Sequence, residues 1–147
     1  MNNQPSFPST RMRRNRMKGF SRKLISENSL SVNDLIWPLF VTEGSKIKVE
    51  ILSMPGIYRN SIDELIKEAE QATKLGIPAI AIFPQIDSAL KNSKGSEAIN
   101  ENNLICRSIK EIKKEFPDLG IITDVALDPF TDHGHDGLLT NDEINND

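Results

Sequence analysis

The sequence predicts an α/β fold built on a parallel sheet, and three observations carry that prediction. Apolar runs rich in β-branched residues alternate with amphipathic stretches, in the order strand, helix, strand, helix, strand. The helical stretches carry start and stop signals in their own residues. The last apolar run, from Ile121 to Leu127, leads straight into Asp128-Pro129-Phe130-Thr131-Asp132-His133-Gly134-His135-Asp136-Gly137. A strand opening into a loop crowded with ionisable groups is how α/β enzymes present chemistry at the carboxyl edge of a sheet. A solvated acidic loop is the plainer reading of the same residues, and both stay open at this point.

The 147 residues are enough for one ordinary domain, and 37% hydrophobic with 27% charged residues is a globular balance. No run of eighteen apolar residues is present to span a membrane, and no apolar core near the N-terminus resembles a secretory signal. The lone Cys106 excludes an internal disulfide framework and a multi-cysteine zinc site, which fits a cytoplasmic location. A net charge of −3 hides an asymmetry. No acid precedes Glu27, whereas Arg11, Arg13, Arg14, Arg16, Lys18, Arg22 and Lys23 are cationic. From Asp118 onward there is no Lys or Arg, and Asp118, Asp124, Asp128, Asp132, Asp136, Asp142, Glu143 and Asp147 are acidic. Ends of opposite sign invite the arm of one copy onto the body of another, or an arm that grips a polyanion. Nucleic-acid binding is disfavoured because the basic cluster has no interleaved aromatics and no known motif.

Residues 1–33 read as an arm, extended and basic, with a short helix over 18–27 pairing Phe20 and Leu24. Pro5 and Pro8 interrupt the amphipathic helix that a mitochondrial transit peptide needs. The apolar run Asp34 to Val41 reads as the first strand, with Pro38 removing one ladder donor and Trp37 and Phe40 assigned to the core. Residues 42–60, punctuated by Gly44 and Pro55-Gly56, read as a β-excursion. Ser61-Ile62-Asp63-Glu64 has the capping-box form, followed by Leu65, Ile66, Ala69 and Ala72 on one helical face and Gly76 as a left-handed stop. Ala79 to Phe83 is apolar on both faces, as a strand covered by helices must be, and Pro84 ends it. The polar loop 85–100, containing Lys94-Gly95-Ser96-Glu97, is long for a compact domain, and loops of that length are often functional. A second helix is predicted over 103–116, with Cys106 packing near its apolar face, and a third strand over 120–127. Asn141 to Asp147 has a helix-start composition, which suggests the front part of a longer protein.

Several collinear pieces together resemble the porphobilinogen synthase (5-aminolevulinate dehydratase) family. They are Arg11-Met12-Arg13-Arg14, the run Asp34 to Val41, Ser53-Met54-Pro55-Gly56-Ile57-Tyr58-Arg59, Leu75-Gly76-Ile77-Pro78-Ala79 and Lys94-Gly95-Ser96-Glu97-Ala98. Ile122 to Thr131 followed by His133-Gly134-His135-Asp136-Gly137 is the most specific piece. The resemblance runs from about residue 7 to the last residue.

The resemblance implies an incomplete (β/α)8 barrel over 34–147, holding its first three strands. It also implies an enzyme that condenses two molecules of 5-aminolevulinate into porphobilinogen with loss of water, in tetrapyrrole and haem biosynthesis. The arm with Arg11, Arg13, Arg14 and Arg16 would wrap a neighbouring subunit of a homo-oligomer, an octamer in many members, with neither nucleic acid nor membrane as partner. In zinc-dependent members three cysteines stand where this chain has Ala126, Asp128 and Asp136, so zinc is disfavoured and hard oxygen ligands point to Mg2+ at Asp128 and Asp136. Asp124 matches the family's active-site aspartate, expected to orient the reacting amine and move a proton. Asp128 and Asp136 are alternatively polar residues that position water and substrate. His133 and His135 are expected outside direct contact with substrate. The family's two Schiff-base lysines lie in later strands, and Lys113 and Lys114 match neither. The 147-residue chain by itself is therefore expected to be inactive. A non-catalytic oligomerisation remnant and a divalent-metal-binding module are the other two readings.

Overall fold

The computed structural model describes residues 6–141 and 143–145, so Pro5, Asp142 and Asp147 of the sequence reading lie outside the described residues. The chain divides into two compact units, Met1–Ser31 and Val32–Asp147. In the first, a tight turn at Arg14–Arg16 precedes α1, Gly19–Leu24. The Arg22 guanidinium donates to the Arg16 carbonyl at 2.8 Å, and Arg11 lies over the Phe7 ring, 5.8 Å from its centroid. Phe20 and Leu24, the pair expected to close this helix, are both exposed.

The second unit is an α/β layer. Its strands are β1 (Ile36–Val41), β2 (Lys48–Glu50), β3 (Tyr58–Asn60), β4 (Ala79–Pro84) and β5 (Gly120–Thr123), in the sheet order β2-β3-β1-β4-β5. β1, β4 and β5 run parallel, with Leu39 opposite Ile82 and Ile80 opposite Ile121. Helices α2 (Ile62–Lys74) and α3 (Leu104–Glu115) make the two crossovers. The strand period of two sorts the side chains. Trp37, Leu39, Val41, Ile80, Ile82 and Ile121 face the helices and meet Leu65, Ala69, Ala72, Leu104 and Ile112 in one core. Pro38, Phe40, Ala81, Phe83 and Ile122 fall on the other face by the same alternation. Phe40 was expected in the core; it is instead half-buried on this second face, its ring 5.7 Å from that of Phe83.

Both strand prolines sit where no ladder bond is lost. The Thr42 amide donates to Asn60 on β3, so by alternation the nitrogen of Pro38 also faces the β3 side. There β3 pairs only with Phe40 and Val41, and Pro38 has no neighbour to bond. The Gln85 amide donates to Val41 on β1, which turns the nitrogen of Pro84 toward β5, beyond the last pair at Thr123.

One helix-end signal holds and one is corrected. Gly76, at φ +74, stops α2, with its amide on Thr73 and that of Ile77 on Ala72. Asn103 caps α3 by accepting from the Cys106 amide at 2.8 Å. The capping box at Ser61 does not form. Its hydroxyl accepts from the Ile47 amide at 2.9 Å and donates to Asp63 Oδ1 at 2.5 Å, while Glu64 pairs with Lys67. A contact distant in sequence outcompetes the local cap. Asp63 also accepts from the Lys46 amide at 2.8 Å.

The hydroxyl of Ser61 and then the Lys46 amide hold the Asp63 carboxyl below its ordinary value of 3.8. Its contribution to stability is therefore present above that value and lost as pH falls through the lower folded one. Asp63→Asn is expected to lower the urea midpoint near neutral pH. The gap from wild type should close in strong acid, where Asp63 is itself neutral; a gap independent of pH would refute the assignment.

Two further expectations are corrected. The third strand ends at Thr123, not Leu127, because the chain leaves the sheet there, with Val125 98% exposed. Among its described residues the tail, helix-start in composition, forms strand instead. β6 (Leu138–Thr140) and β7 (Glu143–Asn145) pair antiparallel, with Asn141 at φ +53 in the left-handed region that asparagine tolerates in a tight hairpin turn. Among the described residues no helix is long and apolar enough to cross a membrane.

Candidate active site

The carboxyl ends of β1, β4 and β5 open onto one cavity of about 910 Å³. Phe40 and Phe83 reach it from the strand ends, and Gln85, Asp124 and Asp128 from the loops that follow. This is the edge at which parallel α/β sheets present ligands. Asp124 follows the last residue of β5, and it lines the cavity together with Phe83. Neither the Asp124 nor the Asp128 carboxylate has a hydrogen bond or ion pair with another described residue, and both are exposed.

Asp136 is placed differently. It does not line the cavity, and its Oδ1 accepts from the Leu127 amide at 2.6 Å and the Asp128 amide at 3.0 Å. A carboxylate holding two backbone N–H groups fixes a turn strongly. The Leu127 carbonyl in turn accepts from the Phe130 and Thr131 amides, at 2.8 and 3.1 Å. The buried Thr131 hydroxyl donates to the His135 carbonyl at 3.0 Å. The backbone that carries Asp128 is thereby fixed from behind.

The loop over 85–100 packs onto this turn. The Asn92 amide donates to the Phe130 carbonyl, and the Asp132 amide returns to the Asn92 carbonyl, each at 3.3 Å. Gly95 is buried with φ +59, and a Cβ there would come within 3.3 Å of Leu127 and 3.5 Å of Thr131. Only glycine meets both the backbone conformation and the close approach. His133 Nε2 lies 3.4 Å from the Ser93 carbonyl, and its ring stacks on that of His135 at 6.1 Å. Neither histidine lines the cavity.

Of the three positions singled out for metal or substrate, Asp124 and Asp128 share the cavity and Asp136 braces it. No group of three or more His, Cys, Asp or Glu side chains among the described residues is arranged to hold a metal ion. The donor set at 128 and 136 is all oxygen, which suits a hard cation. Arg59 from β3 and Lys91 from the loop line the same cavity and were not singled out from the sequence. Arg59 is there because β3 pairs with β1 in the register Phe40 to Arg59. Nothing local to Tyr58-Arg59-Asn60 signals that pairing. Cys106 also borders the cavity from α3.

A sequence profile of the Delta-aminolevulinic acid dehydratase family matches residues 9–147. A dehydratase of that name from Bradyrhizobium diazoefficiens is 53% identical over 137 residues, covering 93% of this chain and 39% of its own length. One from Chlamydia pneumoniae is 49% identical over 95% of this chain and 42% of its own. Among solved structures, delta-aminolevulinic acid dehydratase (porphobilinogen synthase) from Toxoplasma gondii ME49, in complex with its product porphobilinogen, superposes with a TM-score of 0.88 and 41% identity. That superposition covers 94% of this chain and 40% of the other. The chain spans about two fifths of the length of the relatives it matches. On this evidence the chain is a member of the Delta-aminolevulinic acid dehydratase family.

Proposed function

We propose that this chain supplies the first three barrel strands and the aspartate-bearing wall of a porphobilinogen synthase, which condenses two 5-aminolevulinate molecules with loss of water. The observation that carries this reading is the placement of Asp124 and Asp128 on one cavity at the carboxyl edge of parallel strands. A substrate amine arrives as an ammonium ion and must lose a proton before it can attack a carbonyl. Asp124, unpartnered and on the same cavity as Phe83, is the group that accepts the ammonium and moves that proton. Asp128 adds a second negative charge to the same wall. Asp136 keeps it in place through the two backbone amides.

Were the full barrel to bind Mg2+ here, Asp128 and Asp136 would be the residues of this chain to hold it, and the ion would supply positive charge to polarise a substrate oxygen. The basic arm, with Arg11, Arg13, Arg14 and Arg16 all exposed, is the element that grips a neighbouring subunit in a homo-oligomer.

The 147 residues alone carry out no condensation. Lys113 Nζ donates to the Pro117 and Leu119 carbonyls at 3.0 and 2.6 Å, and Lys114 lies near Glu111 on α3. Neither is held in the dry setting a Schiff-base lysine needs. The chain incubated with 5-aminolevulinate is expected to give no pyrrole by colorimetric assay, and measurable turnover would overturn this. A protein extended by the remaining barrel strands is expected to give product, and its failure to do so would remove the synthase reading.

A further inference from the structure

Asp136 braces the aspartate-bearing turn from one side. Against the other side lies the loop over 85–100, and its fold is organised around the side chain of Asn92. That side chain is half-buried and does not line the cavity. Its Oδ1 accepts from the Lys94 amide at 3.0 Å and from the Ser96 amide at 3.2 Å, while its Nδ2 donates to the Ser96 hydroxyl. The Asn92 carbonyl accepts from the Gly95 amide at 3.0 Å. An Asn side chain that captures amides two and four residues further on closes a tight local turn.

The closed turn acts on the wall in two ways. Through the backbone of Asn92 it bonds to Phe130 and Asp132, on either side of the buried Thr131. It also fixes Gly95 in the left-handed region, so close to the wall that an added Cβ would meet the Leu127 and Thr131 side chains. Leu127 is the residue whose amide Asp136 holds, and Asp128 follows it directly. Leu127 is therefore gripped twice, by its amide from Asp136 and by its side chain from the Asn92 turn.

We infer that Asn92 is a positioning residue for Asp128: its carboxamide closes the 92–96 turn, the turn holds Leu127, and Leu127 sets the direction in which Asp128 meets the cavity. The consequence for catalysis rests on the synthase reading. The mechanical link from Asn92 to Leu127 does not.

Hydrogen exchange in the 147-residue chain tests the link. Asn92→Ala should speed exchange at the Leu127 and Asp128 amides about ten-fold, although the carboxylate that accepts from them is untouched, while amides of β4 keep their rates. Asn92→Asp keeps the acceptor oxygens, and the Ser96 hydroxyl can turn to donate to them, so its rates should return to within about three-fold of wild type. Ser96→Ala, at an exposed side chain, is the milder cut and reports even if Asn92→Ala loosens the sheet; it should speed the same two amides several-fold. Unchanged rates at Leu127 and Asp128 in both alanine variants would overturn the inference. So would acceleration shared equally by β4 in both, or an Asn92→Asp chain as fast as Asn92→Ala.

In the protein extended by the later strands, Asn92→Ala should lower kcat about ten-fold with KM little changed. Combined with Asp136→Ala it should cost less than the product of the two single losses, because both act on one segment. A merely structural role would let the losses multiply, and that outcome would overturn the role given to Asn92. Absence of pyrrole from the unmutated extended protein would refute the synthase reading alone and leave the exchange result standing.

Discussion

Ile80→Ala is expected to destabilise the chain by about 2–5 kcal/mol, the range for emptying a closed core site. Ile80 lies on β4, which is hydrogen-bonded on both sides, and its side chain is fully buried between Trp37 and Ile121 in register. The neighbours across the layer are helix residues already packed against both strands, so collapse into the void is limited. A small domain has only about 5–15 kcal/mol of net stability, so much of it would go with three carbon atoms. Urea unfolding should show a lower midpoint at unchanged slope. Val125→Ala, at a side chain 98% exposed, should move it by no more than about 0.5 kcal/mol. A loss below about 1 kcal/mol at Ile80 would mean that the core does not close on β4.

Asp136→Ala is expected to release the turn that carries Asp128 without unfolding the sheet. One carboxylate oxygen holds the amides of Leu127 and Asp128, and nothing else among the described residues accepts from them. Removing a charged acceptor costs about 1.5–3 kcal/mol where the donors are shielded, and less at this exposed site. Hydrogen exchange at Leu127 and Asp128 should therefore accelerate about ten-fold or more, while amides of β4 keep their rates. Asp136→Asn retains an oxygen acceptor and should restore much of the protection. If alanine leaves both amides as slow as before, the brace is not Asp136. In the extended protein the same change should lower turnover about 10–100-fold, as loss of a group orienting a site residue does, and more through kcat than KM.

How much of this was legible depends on how local the cause is. Ala79 to Phe83 and the Gly76 stop depend on neighbours within one helical turn or on strand alternation, and the residues announce them. The Ser61 cap failed because Ile47, fourteen residues earlier, claims the hydroxyl. The acidic wall was readable as a place, since Asp124 and Asp128 follow an apolar run. The division of labour was not readable, because Asp136 acts through two backbone amides eight and nine residues away. Arg59 was invisible for a similar reason: its position depends on which strand β3 joins. Phe40 was assigned to the core because an unbroken apolar run does not say which of its alternate residues meets the helices.

Among the described residues, β5 has a strand neighbour on one side only, and β1 likewise along the stretch before Phe40. Each carries amides and carbonyls without a strand partner, which an extended peptide can pair with. Light scattering from the 147-residue chain should therefore climb with concentration even when every arginine of the basic cluster is neutralised. Assembly measured for this chain must separate that stickiness from the grip of its arm.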